Sequence, residues 1–453
     1  MEHKPTLVFQ APIATRSGYG ERSRDLIRAI IELDKYDIKI ISTRWGSTPM
    51  NALNIDNEND KKIIERLHFG QLTQQPDIFM QVTIPNEFMQ VGKFNIGVTA
   101  GIETDRCSPE WLEGCNRMNL VLASSEHAVK VLKETSWKAM TKDGRDAGIL
   151  TCSKPIETLF EGVDINVFKK LKESKDFTSP LIKDTFTSIK EDFCFLFVGH
   201  WLNGDFGQDR KNVSGLIRSF LEAFKNKKNA PALILKTAVG APSIMDRNEL
   251  IKRINVIKKS VEDAQTLPNI YLVYGDLTAE EMNELYNHSK VKAHITFTKG
   301  EGFGRPILEA SISGKPIITP LWSGQKDFLK EESVVELKGK LEPIHKSAQW
   351  DKILIKDSQW FNVDYGYAIA VMKDVFKDYK KYTEKCRGQS HHSKTNFSFD
   401  KMKERINELF TKYIPEFPKQ VALQLPKLKK VGDVTNNEPP KITLPKLKKI
   451  ETV

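Results

Sequence analysis

The sequence has few of the features that mark secreted, metal-stapled or membrane-spanning proteins. Its five cysteines are odd in number, and their positions fit neither a disulfide framework nor a metal-binding spacing: Cys107, Cys115, Cys152, Cys194 and Cys386. There is no run of about 18 apolar residues, so we expect no transmembrane helix. The first residues, MEHKPTLVFQ, lack a basic region followed by an apolar core, so we expect no signal peptide. These absences favour free thiols and a cytoplasmic location.

What is present is the composition of a globular protein. Of the 453 residues, 40% are hydrophobic and 28% are charged, and this length is sufficient for two domains and a tail. The 69 Lys and Arg exceed the 59 Asp and Glu, which gives a formal net charge of +10. This charge would assist binding to nucleic acid, phosphorylated lipid or nucleotide, although a basic surface that only keeps a protein soluble is commoner.

The rest of the chain is organised around the stretch at 299–319, KGEGFGRPILEASISGKPIIT. An apolar strand at 293–298 leads into a glycine turn, and Pro306 suits the first turn of the helix that follows. Gly314 is a natural end for this helix, and the extended run 317–319 comes after it. Such a turn presents free backbone N–H groups and the positive end of a helix dipole. Together these form a site for an anion such as a diphosphate.

Two carboxylates flank this turn. Glu301 precedes it and Glu309 lies inside the helix, so both can face a ligand above the helix start. Gly302 and Gly304 let the backbone approach that ligand without a clash from Cβ. Since carboxylates accept hydrogen bonds from hydroxyls, a polyhydroxylated ligand that carries phosphate suits these residues. A plain strand-to-helix turn with one capping Glu remains open on the residues alone, because an isolated glycine-rich turn is a weak signal.

The spacing Glu301-x7-Glu309 within EGFGRPILEA, followed by GKPIIT, resembles the signature of GT-B glycosyltransferases, especially the large retaining family 4. The resemblance is strong over 193–319, moderate in the first part of the chain and absent from the tail. It implies an α/β protein with two Rossmann-like domains that face a cleft and a C-terminal helix that crosses back onto the first domain.

The resemblance also implies roles for the motif residues. Glu301 would bind hydroxyls of a donor sugar, and Glu309 would bind the ribose of the donor nucleotide. The backbone N–H groups around Gly302, Phe303 and Gly304 would stabilise the donor diphosphate.

The first half of the chain shows the alternation of strands and helices that is typical of a Rossmann-like domain. Apolar runs predict strands at 6–10, 37–42, 77–82, 94–99 and 119–123. Gly18, Tyr19 and Gly20 form a glycine loop after the first strand, without a full G-x-G-x-x-G, and this loop is open to interpretation as a plain turn or as a substrate cover. The resemblance places this loop and Glu103 on the acceptor side of the cleft. His127 lies one turn into a helix, where a surface histidine and a substrate contact both remain open.

The second half repeats the alternation, with strands predicted at 193–198, 233–237 and 269–274. Lys211 matches the family lysine that contacts the donor diphosphate. The family usually has Arg directly after the glycine that ends the first strand of this half, but His200 stands there, and Arg210 is a candidate for the missing charge. Because a guanidinium grips phosphate bidentately and a neutral imidazole cannot, this departure matters. Lys236 ends the next strand, where open α/β sheets bind ligands. A solvated loop remains the alternative interpretation of Arg210 and Lys211.

These patterns predict the domain organisation. The predicted parts are an acceptor-side domain at 1–168, a polar linker at 169–191, a nucleotide-sugar-binding domain at 192–396, a crossover helix at 397–414 and a tail at 415–453. In the tail, LPKLKK at 425–430 recurs at 444–449 across a polar spacer that contains proline. We expect the tail to be largely disordered. A docking function toward a protein or a polyanion and a merely solubilising function both remain open.

The favoured hypothesis is a glycosyltransferase that moves a sugar from a nucleotide diphosphate-sugar to an acceptor hydroxyl. No Asp-x-Asp occurs in the chain, which fits a metal-independent enzyme of this fold with no cofactor beyond the co-substrate. Lys211, Arg210 and the motif N–H groups would then stabilise the leaving diphosphate. The resemblance implies retention of anomeric configuration.

Other functions remain compatible with the sequence. The acceptor could be a glycan, a small molecule or a modified DNA base, as for some phage enzymes of this fold, and the basic charge suits a duplex. A nucleotide-sugar epimerase or a phosphorylase shares the architecture, and the His200 departure leaves a non-catalytic binder open.

Overall fold

A parallel β-sheet forms the centre of the first half of the chain. In the computed structural model, which describes residues 4–141, 143–172, 176–202, 204–240 and 242–418, the strands of this half are β1 (Thr6–Ala11), β2 (Asp37–Ser42), β3 (Ile78–Val82), β4 (Phe94–Thr99), β5 (Leu120–Ala123), β6 (Trp137–Met140), β7 (Asp146–Leu150) and β8 (Ile156–Thr158). The sheet order is β2-β1-β3-β4-β5-β8, while β6 and β7 form a separate antiparallel pair. Strands β3, β4 and β5 are buried along their whole length, as expected for a parallel sheet covered on both faces.

The helices of this half are α1 (Gly18–Leu33), α2 (Glu58–Ile64), α3 (Pro109–Asn116) and α4 (Glu126–Glu134). Helix α1 begins earlier than the sequence predicted. The Ser17 side chain caps it by accepting a hydrogen bond from the Gly20 N–H, so the residues predicted as a glycine loop form the first turn of the helix. Gly20 is required there because a Cβ would lie 2.3 Å from the carbonyl oxygen of Thr15.

A second parallel sheet forms the centre of the second half. Its strands are β9 (Cys194–Val198), β10 (Ala232–Lys236), β11 (Ile270–Val273), β12 (Val291–Ile295), β13 (Ile317–Thr319) and β14 (Val335–Glu336), in the order β11-β10-β9-β12-β13-β14. The accompanying helices are α5 (Pro180–Thr187), α6 (Val213–Phe224), α7 (Ile244–Lys259), α8 (Ala279–Asn287) and α9 (Arg305–Ile312). Strands β15 (Gly339–Pro343) and β16 (Gln359–Val363) form an antiparallel pair beside the sheet. The fold is therefore α/β with two Rossmann-like sheets, as predicted.

The chain then returns to its first half. Helices α10 (Tyr365–Lys377), α11 (Tyr379–Lys385) and α12 (Arg387–Asn396) precede α13 (Phe399–Tyr413). Helix α13 packs on α1, with the Phe410 ring 5.9 Å from that of Tyr36 and Lys403 Nζ 2.6 Å from Glu32. The residues that it buries are Met402, Ile406, Leu409 and Phe410.

Some predicted boundaries differ from the elements observed. The predicted linker at 169–191 contains α5, which follows two residues, Thr178 and Ser179, whose backbone N–H groups donate to the Glu284 carboxylate. Within the predicted domain at 192–396, two short helices follow each other at 365–385, because Asp378 ends α10 and its side chain caps α11. The domain boundaries themselves stay a prediction. The repeated tail motifs lie outside the described residues.

The core of the second half lies on both faces of its sheet, and Met1–Glu416 forms one compact unit. Among the helices of the described ranges, none combines the length and the apolar character needed to cross a bilayer.

Candidate active site

The glycine turn between β12 and α9 has the predicted form. Gly304 caps α9 with φ of +99°, a left-handed conformation that favours glycine, and Pro306 occupies the first helical turn. Within the described residues, the N–H groups of Gly302, Phe303 and Gly304 donate to no protein acceptor. The Phe303 side chain is buried in the core, with its ring 5.0 Å from that of Phe328, so only its backbone is available to a ligand. The turn can therefore accept an anion.

Glu301 is held by two cations from the loop before α6. Lys211 Nζ donates to one carboxylate oxygen, and Arg210 Nη1 lies 3.8 Å from the other. The Glu301 backbone N–H donates to Ser323 Oγ at 2.8 Å. Sequence reasoning did not single out Ser323. The structure thus brings together the three residues predicted to act on the donor.

Burial and pairing oppose each other in this group. Burial alone would raise the pKa of Glu301, but Lys211 and Arg210 outweigh it and hold that pKa below its usual range. Burial lowers the pKa of Lys211, although Glu301 resists this change. Burial would also lower the pKa of Arg210, but Glu103 and Glu301 raise it. The two cations are therefore neutralised by carboxylates that an anionic ligand would have to replace.

Glu103 connects this group to the first sheet. Arg210 Nη1 lies 3.0 Å from the Glu103 carboxylate. The hydroxyl of Ser124, directly after β5, donates to the Gly302 carbonyl at 2.8 Å, and a Cβ on Gly302 would lie 2.3 Å from the carbonyl oxygen of Ala100. The glycine turn therefore packs against the carboxyl ends of β4 and β5, and the cleft lies between the carboxyl edges of the two sheets.

Glu309 is fixed by an arginine that sequence reasoning missed. Arg305 Nε donates to Glu309 at 2.9 Å, Nη1 pairs with Asp25, and Nη2 lies 3.4 Å from Glu21. The hydroxyl of Tyr286 donates to the other oxygen of Glu309 at 3.3 Å. The spacing of Arg305 and Glu309, one helical turn apart, was a visible signal, but its partners on α1 were not.

Both charges of this pair are buried. Burial raises the pKa of Glu309, and Arg305 opposes that rise. Burial alone would lower the pKa of the Arg305 guanidinium, but the surrounding carboxylates outweigh it and raise that pKa. Removing Arg305 would leave the Glu309 carboxylate buried without a cation, whereas removing Glu309 would leave Arg305 paired with Asp25 and Glu21.

His200 and Lys236 end neighbouring strands, as predicted. The desolvated imidazole of His200 faces Lys211 and Arg210, and both effects lower its pKa. Lys236 Nζ donates to the Gly275 carbonyl at 2.7 Å, which joins the end of β10 to the loop after β11. The lowered pKa disfavours the charged form of His200, which leaves the cationic charge beside it to Lys211 and Arg210.

Tyr19 and His127 occupy the first-half side of the cleft. The Tyr19 hydroxyl lies 3.1 Å from Thr99 Oγ1 and accepts from the Ala100 N–H, and its ring stacks on Trp45 at 4.0 Å. His127 Nε2 lies 3.1 Å from the Thr104 carbonyl. Both aromatic rings therefore have structural partners, and Gly18 beside Tyr19 is exposed, since a Cβ there would meet nothing within 4 Å.

The described ranges contain no group of three His, Cys, Asp or Glu side chains arranged to hold a metal ion.

Solved structures share this fold. A glycosyltransferase from Rickettsia africae has a TM-score of 0.59 and 12% identity, and the match covers 92% of this chain and 100% of that one. Alr3699/HepE from Anabaena, solved in complex with UDP and glucose, has a TM-score of 0.55 and 11% identity. This match covers 90% of this chain and 100% of that one. Sucrose-phosphate synthase from Thermosynechococcus elongatus has a TM-score of 0.56 and 11% identity. This match covers 90% of this chain and 99% of that one. At such identities the likeness shows the fold alone, which is GT-B. No protein-family profile matches the sequence, and neither does any curated protein.

Proposed function

We propose that this protein is a glycosyltransferase that moves a sugar from a nucleotide diphosphate-sugar to an acceptor hydroxyl. One observation carries the proposal: the buried Lys211 and the largely buried Arg210 converge on Glu301, beside N–H groups at the start of α9 that donate to no acceptor among the described residues. The solved structures of this fold, among them one with UDP and glucose bound, support it.

The chemistry follows from the charges of the site. As the bond between the sugar and the diphosphate breaks, negative charge builds on the leaving phosphate oxygen. Lys211, Arg210 and the N–H groups at 302–304 stabilise that charge, and such preorganised electrostatics is usually the largest catalytic contribution. Because protein cations supply the stabilisation, we propose that the reaction needs no metal ion.

The carboxylates orient the donor. Glu301 binds sugar hydroxyls, and its release from Lys211 frees that ammonium for phosphate. Glu309, held by Arg305 and Tyr286, accepts from the ribose hydroxyls. The acceptor enters along Gly18, Tyr19 and Glu103, and the family resemblance of the motif favours retention of anomeric configuration. All five cysteines are free, which supports a reducing cytoplasm as the location.

Thermal unfolding with a panel of nucleotides and nucleotide-sugars tests the donor site. A ligand that binds only the folded state adds about 2.7 kcal/mol at a hundredfold excess over its Kd. We expect one nucleotide-sugar to stabilise the wild type and to lose most of that effect in Glu309→Ala. Release of free sugar from that donor then separates an enzyme from a pure binder.

A matched control is Glu280→Ala, which removes a carboxylate from the first turn of α8. This variant should respond to the same ligand as the wild type does. If no member of the panel stabilises the wild type, or if the ligand binds but no sugar is ever released or transferred, the proposal fails.

A further inference from the structure

A basic groove lies away from the cleft, at the carboxyl end of α9. It has a volume of about 610 Å³, and it is formed by α11, α12 and the residues that follow α9. Its charged and titratable lining residues are Lys170, Lys380, Glu384, Arg387, His391 and Lys394. Four permanent cations thus face one carboxylate, in a concave space of the size that small ligands occupy in proteins.

The cations share one surface of two consecutive helices. Arg387, His391 and Lys394 are spaced by four and three residues on α12, which places them on one face of the helix. Lys170 approaches from across the groove, where its Nζ lies 4.0 Å from the place that a Cβ on Gly314 would occupy. The absence of a side chain at Gly314 therefore keeps the space between the two walls open.

None of these cations forms an ion pair within the described part of the chain. No described carboxylate lies within ion-pair distance of Lys170, Lys380, Arg387 or Lys394. Burial and the neighbouring Lys170 lower the pKa of Lys394. The pKa of the half-buried Lys315 is lowered as well, by burial and by the nearby Lys292 and Lys170. Mutual repulsion therefore raises the free energy of the groove, and a bound anion would relieve it.

The α9 dipole is too small to account for this charge. The negative end of a helix is equivalent to about half an elementary charge. Its last carbonyls are already satisfied: the Ser390 hydroxyl donates to Ile312 at 2.8 Å, and the Gly314 N–H donates to Ser311 at 3.1 Å. The positive charge of the four cations is therefore larger than the partial negative charge at the end of α9. The excess positive charge is available to a ligand.

We propose that this groove is a second anion site, which binds a small phosphorylated molecule through Lys170, Arg387 and Lys394. A guanidinium and ammonium groups are the donors that suit phosphate oxygens, and a ligand with two to four negative charges matches the surplus. The cations line one concave space of about 610 Å³, which suits a small ligand better than a duplex backbone. The site is independent of the donor cleft and of the function proposed for it.

Calorimetric titration of the full chain with inorganic pyrophosphate tests the proposal. We expect Arg387→Gln/Lys394→Gln to weaken binding at least about tenfold, since the variant removes two charged donors to the phosphate oxygens. The matched control Lys252→Gln/Lys259→Gln removes the same charge from the exposed face of α7 and should leave the affinity close to that of the wild type. Equal affinity in the groove variant would place all binding elsewhere and overturn the proposal, and so would an equal loss in both variants.

A second measurement does not depend on the stability of the groove variant. The imidazole signals of His391, assigned with His391→Gln, should shift when pyrophosphate is added to the wild type. Signals that stay in place would overturn the site. A short DNA duplex that shifts them at lower concentration than pyrophosphate would overturn the assignment to a small ligand.

Discussion

Single side chains determine the charge balance of the candidate site. Lys211 and Glu301 are buried, Arg210 is 21% exposed, and the Glu301 carboxylate stabilises the charge of both cations. Their residue types and positions were predicted from the sequence, whereas their mutual pairing was not. A ligand phosphate would enter by taking the place of a carboxylate.

Glu301→Gln should lower both stability and activity. Loss of the carboxylate leaves Lys211 buried without its partner, which costs about 3 kcal/mol of unfolding free energy. Turnover of the donor found in the ligand panel should fall about a hundredfold, because the sugar and the cations are no longer positioned. Urea unfolding and initial rates measure the two effects. The exposed pair of Glu58 with Lys61 supplies the control, Glu58→Gln, which should change stability by less than about 0.5 kcal/mol. Equal stability of the two variants would contradict the buried pairing.

His127 should make the protein sensitive to mild acid. Burial lowers its pKa from 6.5 to about 4, although its contact with the Thr104 carbonyl opposes the change. Between these values the unfolded chain binds a proton that the folded chain does not, so the unfolding free energy falls as pH drops through this window. His127→Gln should reduce that fall by up to about 3 kcal/mol, measured by urea unfolding between pH 6.5 and 4. His391→Gln, which replaces an exposed histidine, should show the same decrease in unfolding free energy as the wild type. An identical pH profile for His127→Gln would refute the assignment.

At the scale of elements, α9 and α1 are joined across the cleft. Arg305, in the first turn of α9, contacts Asp25 and Glu21 on α1 while it holds Glu309 on its own helix. The position of the Glu309 carboxylate is therefore set partly by α1, a helix from the other half of the chain. The position of Glu309 therefore depends on how closely the two halves approach.

A double-mutant cycle measures this connection. Arg305→Gln should cost about 3 kcal/mol or more, because Asp25 and Glu309 both lose this cation. Asp25→Asn should cost less, because Glu309 and Glu21 still contact Arg305. Together they should cost less than the sum, with a coupling energy of about 2 kcal/mol. The same cycle at the exposed pair of Lys4 and Asp34 should show little or no coupling, because solvent screens that pair. Additive losses at Arg305 and Asp25 would show that the two helices are not joined through this pair.

Element prediction succeeded where the pattern was apolar and failed where it was polar. The central strands, α9 and the buried face of α13 follow from runs of Val, Ile, Leu and Phe. Helix α12, with the sequence RGQSHHSKTN, has no such face. It is held instead by hydrogen bonds, with Ser390 donating to the end of α9 and Ser393 paired with Ser311 at 2.7 Å. Contacts of this kind depend on a partner that local sequence does not reveal.

At the scale of the whole molecule, the tail carries much of the positive charge. Residues 419–453 contain eight lysines and three acidic residues, and six of the lysines belong to the two LPKLKK copies. Deleting 419–453 should lower the salt concentration at which the protein elutes from immobilised polyanion, because fewer counterions are released on binding. Changing the six repeat lysines to Gln should have most of this effect, while scrambling each repeat should have little. A lower elution salt concentration after scrambling would show that the order of residues matters, as expected for a docking partner that recognises the motif.

The sequence by itself determined the elements that short-range chemistry specifies. These are the strands of two parallel sheets, the glycine turn at 301–304 and the positions of its two carboxylates, since apolar periodicity and backbone conformation are local properties. Only the tertiary structure decided which charges meet. Arg305 pairs with Asp25 across 280 positions, and Arg210 reaches Glu103 from the opposite sheet. Such pairs arise when two separately formed sheets pack at their carboxyl edges, and their partners are selected by that packing and not by any spacing along the chain.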